Sequence, residues 1–346
     1  MKAAVLIKPG ELTVTDMPEP DCPREGVLVC VKACGICSAD ARMIRKGHRA
    51  LTYPRIPGHE ITGTVAESRH RDFMAGDAVQ IAPGLSCGGC RSCRAGADHR
   101  CDNIQILGFT RDGGFAEYVA VPLAGALAGT VTPVPRGLGT AVACLAEPLA
   151  CCINAQDKIR IGAGDTVCIL GAGPLGLMHG LLALSRRAET VILCDPRPER
   201  LQRALAAGIP NVHAPSSTED LQEFLPDTNR GRGLDVLIVA GPDIPLEDRL
   251  LELMAPGGRI SVFSGCTPPL ALRPWDANRI HYRELLISGA YGCSAEHNRK
   301  ALRFLAHSRF DWSTLITHRS TLTNIHGALD HLMMADACKA IVEVNP

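Results

Sequence analysis

The sequence lacks an excess of charge, a long apolar run and a secretory leader. Its 346 residues contain 36 Lys and Arg against 36 Asp and Glu, which removes the general electrostatic basis for binding nucleic acid or acidic lipid. No stretch approaches the ~20 apolar residues that a membrane helix needs. The first residues lack an apolar segment with a cleavage site. We therefore expect neither a nucleic-acid nor a membrane partner, and a cytoplasmic location.

Sixteen cysteines without a secretion signal indicate a reducing compartment, where thiols stay free to bind metal. Four of them, Cys87, Cys90, Cys93 and Cys101, follow the spacing C-x₂-C-x₂-C-x₇-C. Four thiolates this close together can close a tetrahedral shell around zinc and leave no open position. The spacing predicts a structural zinc ion, which we favour over four free or disulfide-bonded cysteines. Any chemistry must be sought elsewhere in the chain.

The length of the chain favours two domains. Up to about residue 130, short strands are broken by Gly and Pro, at 3–7, 27–32, 61–66, 78–81 and 115–121, which predicts a mostly β domain. From about Glu147, strands and helices alternate. Strands are predicted at 166–170, 190–194, 235–240 and 259–263, and helices at 175–186 and 245–254. This alternation predicts an α/β domain with a doubly wound parallel sheet.

A glycine-rich turn opens that second part. Gly171, Gly173 and Gly176 follow a strand in the pattern G-x-G-x-x-G, and Pro174 and Leu175 begin the next helix. The first Gly permits a tight turn, the second admits a pyrophosphate and the third allows close packing of helix on strand. The helix N-terminus then favours the phosphate charge. This placement predicts dinucleotide binding, which we favour over a purely structural turn.

Asp195 ends the following strand and favours NAD over NADP, because a carboxylate accepts hydrogen bonds from ribose hydroxyls and repels a 2′-phosphate. Arg197 and Arg200 lie nearby and could accept that phosphate.

A second metal site is suggested by Cys37, His59, Glu60 and Glu147. One thiolate, one imidazole and one or two carboxylates suit zinc, and three protein ligands would leave a position for water or substrate. Each of these residues also has an ordinary structural interpretation, and spacing alone does not bring positions 37, 59 and 147 together.

Taken together, these stretches resemble the zinc-containing medium-chain alcohol dehydrogenases, most closely their polyol (sorbitol) and threonine dehydrogenase branch. The resemblance runs over essentially the whole chain. Its motifs are Gly35-Ile-Cys37, Gly58-His-Glu60 followed by Gly63, Gly76-Asp77-x-Val79, the four-cysteine lobe, Gly113-Gly-Phe-Ala-Glu-Tyr118, Glu147-Pro-Leu149 and the Gly171–Gly176 turn.

The resemblance implies a GroES-like catalytic domain at 1–146, with the zinc lobe at about 84–104. It also implies a Rossmann domain at 147–292, a return of 293–346 to the catalytic domain, and commonly a tetramer. Cys37, His59 and a carboxylate from Glu60 or Glu147 would hold a catalytic zinc. Asp40 would accept a hydrogen bond from His59 and fix its tautomer. The implied reaction is hydride transfer from a secondary hydroxyl of a polyol, sugar or small alcohol to NAD.

One position departs from the family pattern. Relatives usually carry Ser or Thr two residues after the zinc cysteine, as the start of a proton relay, and often a His three residues further on. This chain has Ala39 and Arg42 there. We expect the proton to leave through Glu60 or Glu147, with Ser38 or His48 as less favoured routes. Arg42 either faces an anionic substrate group or, as we favour, is solvated.

Three alternatives to a polyol dehydrogenase remain open. The enzyme could oxidise threonine or another amino alcohol, or a short diol. The chain could also be a zinc-stabilised NAD-binding relative without turnover. The loss of zinc in the quinone reductase relatives permits that last alternative, although those relatives also lose the ligands that this chain keeps.

Overall fold

The computed structural model describes residues 1–123, 129–214, 221, 231–241, 248–265, 275–332, 334 and 337–345. The chain divides into two compact units. One combines Met1–Ala150 with Cys293–Pro346, and the other is Cys151–Gly292. No described helix is both long enough and apolar enough to cross a membrane.

The strands, in chain order, are β1 Lys2–Lys8, β2 Glu11–Asp16, β3 Gly26–Ile36, β4 Glu60–Ser68, β5 Ala78–Ile81, β6 Gly84–Leu85, β7 Gln105–Ile106, β8 Tyr118–Pro122, β9 Val131–Pro133, β10 Thr166–Leu170, β11 Thr190–Cys194, β12 Asn211–His213, β13 Leu234–Val239, β14 Met254–Val262, β15 Leu286–Gly289, β16 Ile316–Thr321 and β17 Lys339–Glu343. The helices are α1 Ser38–Lys46, α2 Arg91–Arg94, α3 Thr140–Ala143, α4 Ala146–Ile159, α5 Pro174–Ser185, α6 Pro198–Ala206, α7 Ala277–Tyr282, α8 Ala295–His307 and α9 Ile325–His331.

The first unit is built on a sheet of order β16-β17-β3-β4-β5-β9, with β8 also paired to β3. The central strand β3 runs antiparallel to both of its neighbours along this order, with Gly35 opposite Glu60 on β4 and opposite Ile341 on β17. The C-terminal end of β3 therefore meets the first residues of β4 and β17. This register brings segments from around positions 37, 60 and 339 to one end of the sheet.

The core of this unit follows the two-residue period of its strands. Val27, Val29 and Val31 alternate along β3 and are fully buried, and they belong to the same cluster as Ile61 and Val79 on the neighbouring strands. Alternation of this kind buries one face of an antiparallel sheet. The mostly β character predicted for this part of the chain is confirmed.

The second unit is a six-stranded sheet of order β12-β11-β10-β13-β14-β15, parallel at every pairing. All five residues of β10 are buried, as expected for a central parallel strand covered on both faces. The order reverses between β10 and β13, which is the arrangement of a doubly wound dinucleotide-binding sheet. The predicted parallel sheet is confirmed.

The helix predicted at 245–254 is wrong for the residues that the structure describes. Residues 242–247 lie outside the described residues, and the rest of the helix expected at 245–254 is a 3₁₀ turn at Asp248–Leu251 followed by β14. Met254 pairs with Leu234 across the parallel ladder. Hydrogen bonds to β13 thus extend this strand further toward the N-terminus than the local apolar pattern suggested.

Candidate active site

Cys37 is the N-cap of α1. Its thiol accepts a hydrogen bond from the backbone N–H of Ala39 at 3.4 Å, and its own N–H donates to Oδ2 of Asp40 at 2.9 Å. These two bonds satisfy orphan donors at the start of the helix. The Cys37 sulfur is therefore fixed by the helix that follows it.

His59 lies just before β4 and is buried beside Asp40. Its Nδ1 lies 3.1 Å from Oδ1 of Asp40, which is itself fully buried. Because a carboxylate only accepts hydrogen bonds, Nδ1 carries the proton. Burial lowers the pKa of His59, but the charge and hydrogen bond of Asp40, together with Cys37, raise the pKa further, so it lies well above its ordinary value. Asp40 thus orients both Cys37 and His59.

Glu60 is the first residue of β4 and is fully buried. Its Oε1 accepts a hydrogen bond from Nζ of Lys339 at 2.5 Å, whereas Oε2 has no hydrogen-bond partner among the described residues. Ligand atoms of Cys37, His59 and Glu60 all lie within 4.8 Å of one another. These three candidate residues therefore converge on one small volume.

Glu147 does not join that group. It lies in the first turn of α4, buried, and its carboxylate oxygen lies within 4.8 Å of the Cys293 sulfur. Its charge still affects the centre, because it is one of the groups that raise the pKa of Lys339. Burial lowers that pKa, but Glu60, Cys37 and Glu147 raise it further, so it lies above its ordinary value.

Two residues that the sequence did not indicate lie at this centre. Lys339 lies in the last strand, β17. The sequence feature that could have indicated it is a single charged residue inside the apolar run 337–342. Phe109 packs against His59, with ring centroids 5.4 Å apart, and also makes an edge contact with His48 at 5.5 Å. An aromatic residue between Gly108 and Thr110 carries no periodic pattern, so sequence alone gave no signal for it.

The residues around Ala39, where relatives carry the hydroxyl of the proton relay, are mostly accessible to solvent. Ser38, Arg42 and His48 are exposed, and Ala39 is half-buried. Exposure of Arg42 agrees with the solvated interpretation of this side chain.

The four-cysteine lobe lies between β6 and β7, and its ligand atoms lie within 4.8 Å of one another. Backbone hydrogen bonds from Cys93 and Asp102 lower the pKa of Cys90 to about 6, and those from Gly89 and Cys90 lower the pKa of Cys87. Burial raises the pKa of Cys93 to about 12. No disulfide joins the cysteines in the part of the chain that the structure describes. The donor set and its backbone N–H groups fit a tetrahedral zinc ion.

The glycine-rich turn connects β10 to α5 as predicted. Gly171 has a φ of 107°, and a Cβ on Gly176 would lie 1.8 Å from the carbonyl oxygen of Gly171. Asp195 follows β11 and is buried. Its Oδ2 accepts from Ala172 N–H at 2.9 Å and from Arg200 at 3.2 Å, and its Oδ1 accepts from the N–H of Arg197 at 3.0 Å. Asp195 therefore supports the turn itself.

Two family descriptions match the chain, one within the first unit and one that begins in the second unit and ends at residue 307. The alcohol dehydrogenase GroES-like domain matches residues 23–136, and the zinc-binding dehydrogenase family matches residues 174–307. The expected combination of a GroES-like domain and a Rossmann domain is confirmed.

Curated relatives and solved structures match over nearly the whole chain. An L-threonine 3-dehydrogenase of Mesorhizobium japonicum is 28% identical, covering 99% of this chain and 98% of its own. A D-altritol 5-dehydrogenase of Agrobacterium fabrum is 32% identical, covering 94% of each. A Sinorhizobium meliloti 1021 protein whose crystal structure contains NADP is 29% identical, with a TM-score of 0.89 over 99% of this chain and 98% of its own.

Proposed function

The chain belongs to the zinc-containing medium-chain alcohol dehydrogenase family, and from that premise we propose that it oxidises a secondary hydroxyl of a polyol, sugar or related small alcohol, with NAD as the hydride acceptor. The observation that carries the proposal is the convergence of Cys37, His59 and Glu60. A donor set of thiolate, imidazole and carboxylate suits a zinc ion that keeps an open position.

The residues present fit such an ion. Asp40 accepts a hydrogen bond from Nδ1 of His59 and leaves the other ring nitrogen available to bind a metal. Glu60 Oε2 is buried without a hydrogen-bond partner among the described residues, and a bound cation would satisfy it. Cys37, His59 and either Glu60 or Glu147 are the proposed ligands. When bound, zinc supplies positive charge to the substrate hydroxyl, and NAD accepts the hydride.

The substrate proton needs a route in the absence of a hydroxyl at Ala39. Glu60 is the proposed acceptor, because a carboxylate oxygen of Glu60 lies within 4.8 Å of ligand atoms of Cys37 and His59 and its Oε2 has no hydrogen-bond partner among the described residues. Glu147 is the second choice. Glu60→Gln is expected to change the pH–rate profile, whereas Ser38→Ala, at an exposed position, is expected to leave it unchanged. The opposite result would move the route to Ser38.

For the coenzyme, Gly171, Gly173, Pro174, Leu175 and Gly176 are the proposed pyrophosphate-binding turn. Asp195 is the proposed partner of the ribose hydroxyls, which favours NAD. Arg200 partly neutralises Asp195, and the NADP-bound relative supports NADP as the alternative. Steady-state kinetics with both coenzymes decide between them, and a higher kcat/KM with NADP would overturn the preference.

The domain boundaries given above, 1–146, 147–292 and 293–346, are part of this proposal, as are the cytoplasmic location and a homo-oligomer, a tetramer or a dimer. An oligomer is supported by the edge strand β15, which pairs only with β14 among the described residues. Near this edge Leu286 and Tyr291 are exposed. Unpaired edges with apolar side chains are natural sites for pairing between copies.

A panel of polyols, L-threonine and short diols, each with NAD and NADP, tests the function. We expect turnover with a polyol or sugar, and metal analysis giving two zinc ions per chain. Preferential oxidation of threonine would favour the second candidate, which the relation to L-threonine 3-dehydrogenases supports. One zinc ion per chain and no turnover with any of these alcohols would overturn the proposal and favour a non-catalytic NAD-binding relative. Cys37→Ala removes a proposed ligand, and Cys30→Ala is its matched control.

A further inference from the structure

Lys339 and Glu60 form a buried ion pair at the candidate metal centre. Nζ and Oε1 are 2.5 Å apart, and the two side chains are 5% and 0% exposed. An isolated charge at such a position is strongly unfavourable, so each group requires the other. The proposed reaction uses Glu60 but assigns no role to Lys339.

The sheet register explains how the two groups meet. Gly35 on β3 is opposite Glu60 on one side and Ile341 on the other. Paired residues, and residues two apart on one strand, point to the same face of a sheet, so Lys339 shares the face of Gly35 and Glu60. A Cβ at Gly35 would lie 2.0 Å from Oε2 of Glu60. The absence of a side chain at Gly35 therefore allows the ion pair to span the strand between them.

The two carboxylate oxygens of Glu60 are in different environments. Oε1 is bound to Lys339, whereas Oε2 has no hydrogen-bond partner within the described ranges and lies against Gly35. A ligand atom of Glu60 lies within 4.8 Å of those of Cys37 and His59. Anchoring one oxygen limits the movement of the carboxylate toward that volume, and the ammonium offsets part of its charge.

We propose that Lys339 is a positioning residue of the metal centre. By holding Oε1 of Glu60 across Gly35, it would keep Glu60 an exchangeable rather than a permanent ligand of the metal ion and so preserve a position for substrate. This inference rests on the zinc dehydrogenase function proposed above.

Lys339→Met tests it, because the buried carboxylate of Glu60 would then lack its ammonium partner and would gain more from a metal ion as its counter-charge. We expect transfer of the zinc ion from this centre to a chelator to be about 10- to 100-fold slower. This is the range over which hydrogen-bond partners of metal ligands change metal affinity. The visible spectrum of the Co²⁺-substituted protein should shift as the coordination changes. Lys339→Arg should restore both properties, and Lys46→Met, at an exposed position, should alter neither.

The double variant Lys339→Met with Glu60→Gln identifies the cause. It should release zinc at least about tenfold faster than Lys339→Met alone, because an amide does not replace the carboxylate as a ligand. Lys339→Gln, which keeps a hydrogen bond without the charge, is the second variant if Lys339→Met does not fold, and it should slow release to a lesser extent. Zinc release at the wild-type rate or faster in both Lys339→Met and Lys339→Gln would overturn the inference.

These measurements use metal alone, so failure of the proposed function can be distinguished from failure of this inference. Slow, Glu60-dependent release without turnover on any alcohol would contradict the dehydrogenase proposal and leave the role of Lys339 intact. Turnover on an alcohol with metal release independent of Lys339 would do the reverse.

Discussion

Asp40 accepts hydrogen bonds from two groups far apart in sequence, the N–H of Cys37 and Nδ1 of His59. It is fully buried, so no water can replace either bond without a local rearrangement. A carboxylate at this position both fixes the ring orientation and makes the facing imidazole nitrogen a better ligand. The same side chain thus links the helix cap of α1 to the candidate metal centre.

We predict that Asp40→Asn lowers the affinity of this centre for zinc about 10- to 100-fold, because an amide neither carries charge nor accepts on both of its polar atoms. Metal analysis after dialysis against a chelator should show loss of about one zinc ion per chain while the cysteine lobe keeps its own. Asp72→Asn, at an exposed position, is the control. Retention of both ions in Asp40→Asn would contradict the role given to Asp40.

His179 lies in α5 and is fully buried. Its Nδ1 accepts from the side-chain amide of Gln156 at 3.2 Å, and its ring makes an edge contact with Phe263 at 4.5 Å. Burial, and secondarily the charge of Arg186, lowers the pKa of His179 to about 3. Because the amide donates to Nδ1, the neutral ring carries its proton on Nε2.

This histidine should make stability depend on pH. Its pKa in the folded chain is depressed, so below the unfolded value of about 6.5 the unfolded chain binds a proton that the folded chain does not. The free energy of unfolding is therefore unaffected above that value and decreases as pH falls toward 3. Between pH 7.5 and 5 the loss should be about 2 kcal/mol.

His179→Leu should remove that part of the pH dependence, while Gln156 keeps its bond to the backbone carbonyl of residue 179. Urea unfolding at pH 7.5 and 5.0 gives the comparison, and His213→Leu, at a half-buried position, serves as the control. Equal pH dependence in wild type and His179→Leu would show that burial does not perturb this group.

At the scale of elements, motifs within one short segment could be predicted from the sequence, whereas contacts between residues far apart in the sequence could not. The four-cysteine lobe and the Gly171–Gly176 turn lie within short segments, so spacing alone determines which groups meet. Cys37 and His59 could be nominated from their residue types but were joined only by the family resemblance, because their proximity depends on the register of β3 against β4. Lys339 depends on a further pairing with a strand some 300 residues away in sequence, which the local pattern does not encode.

The lobe provides a test at this scale. Cys93 is buried and its sulfur lies 3.5 Å from that of Cys90. We predict that Cys93→Ser lowers the zinc content by about one ion per chain and makes the segment between β6 and β7 more sensitive to limited proteolysis, because metal binding helps to order the segment that carries the ligands. Cys30→Ser should change neither property. Normal zinc content in Cys93→Ser would indicate that the lobe does not bind the ion.

At the scale of the molecule, the C-terminal segment completes the first unit. β17 lies between β16 and β3, so the last strand is internal to the sheet and contributes Lys339 to the candidate site. The length of the chain suggested two domains, but only the family resemblance indicated that both ends of the chain build one of them. The second unit, by contrast, is continuous in sequence, and its strand–helix alternation was enough to predict a parallel sheet.

The parallel sheet of the second unit has an edge at β15 that supports the proposed homo-oligomer. Leu286 begins this strand and is 48% exposed, and Tyr282 and Tyr291 on either side of the strand are each 79% exposed. Apolar and aromatic side chains on and beside an edge strand favour association of identical copies, and a two-fold axis would bring equivalent residues close together.

Leu286→Lys should therefore disfavour that association, because facing ammonium groups repel one another and their juxtaposition costs several kcal/mol. Light scattering coupled to size exclusion should show an oligomer for the wild type and a smaller species for Leu286→Lys at micromolar concentration. Leu205→Lys, on the exposed face of α6, is the matched control and should leave the mass unchanged. An unchanged mass in Leu286→Lys, or a monomeric wild type, would exclude β15 as the interface. Loss of mass in both variants would instead indicate a general effect of added charge.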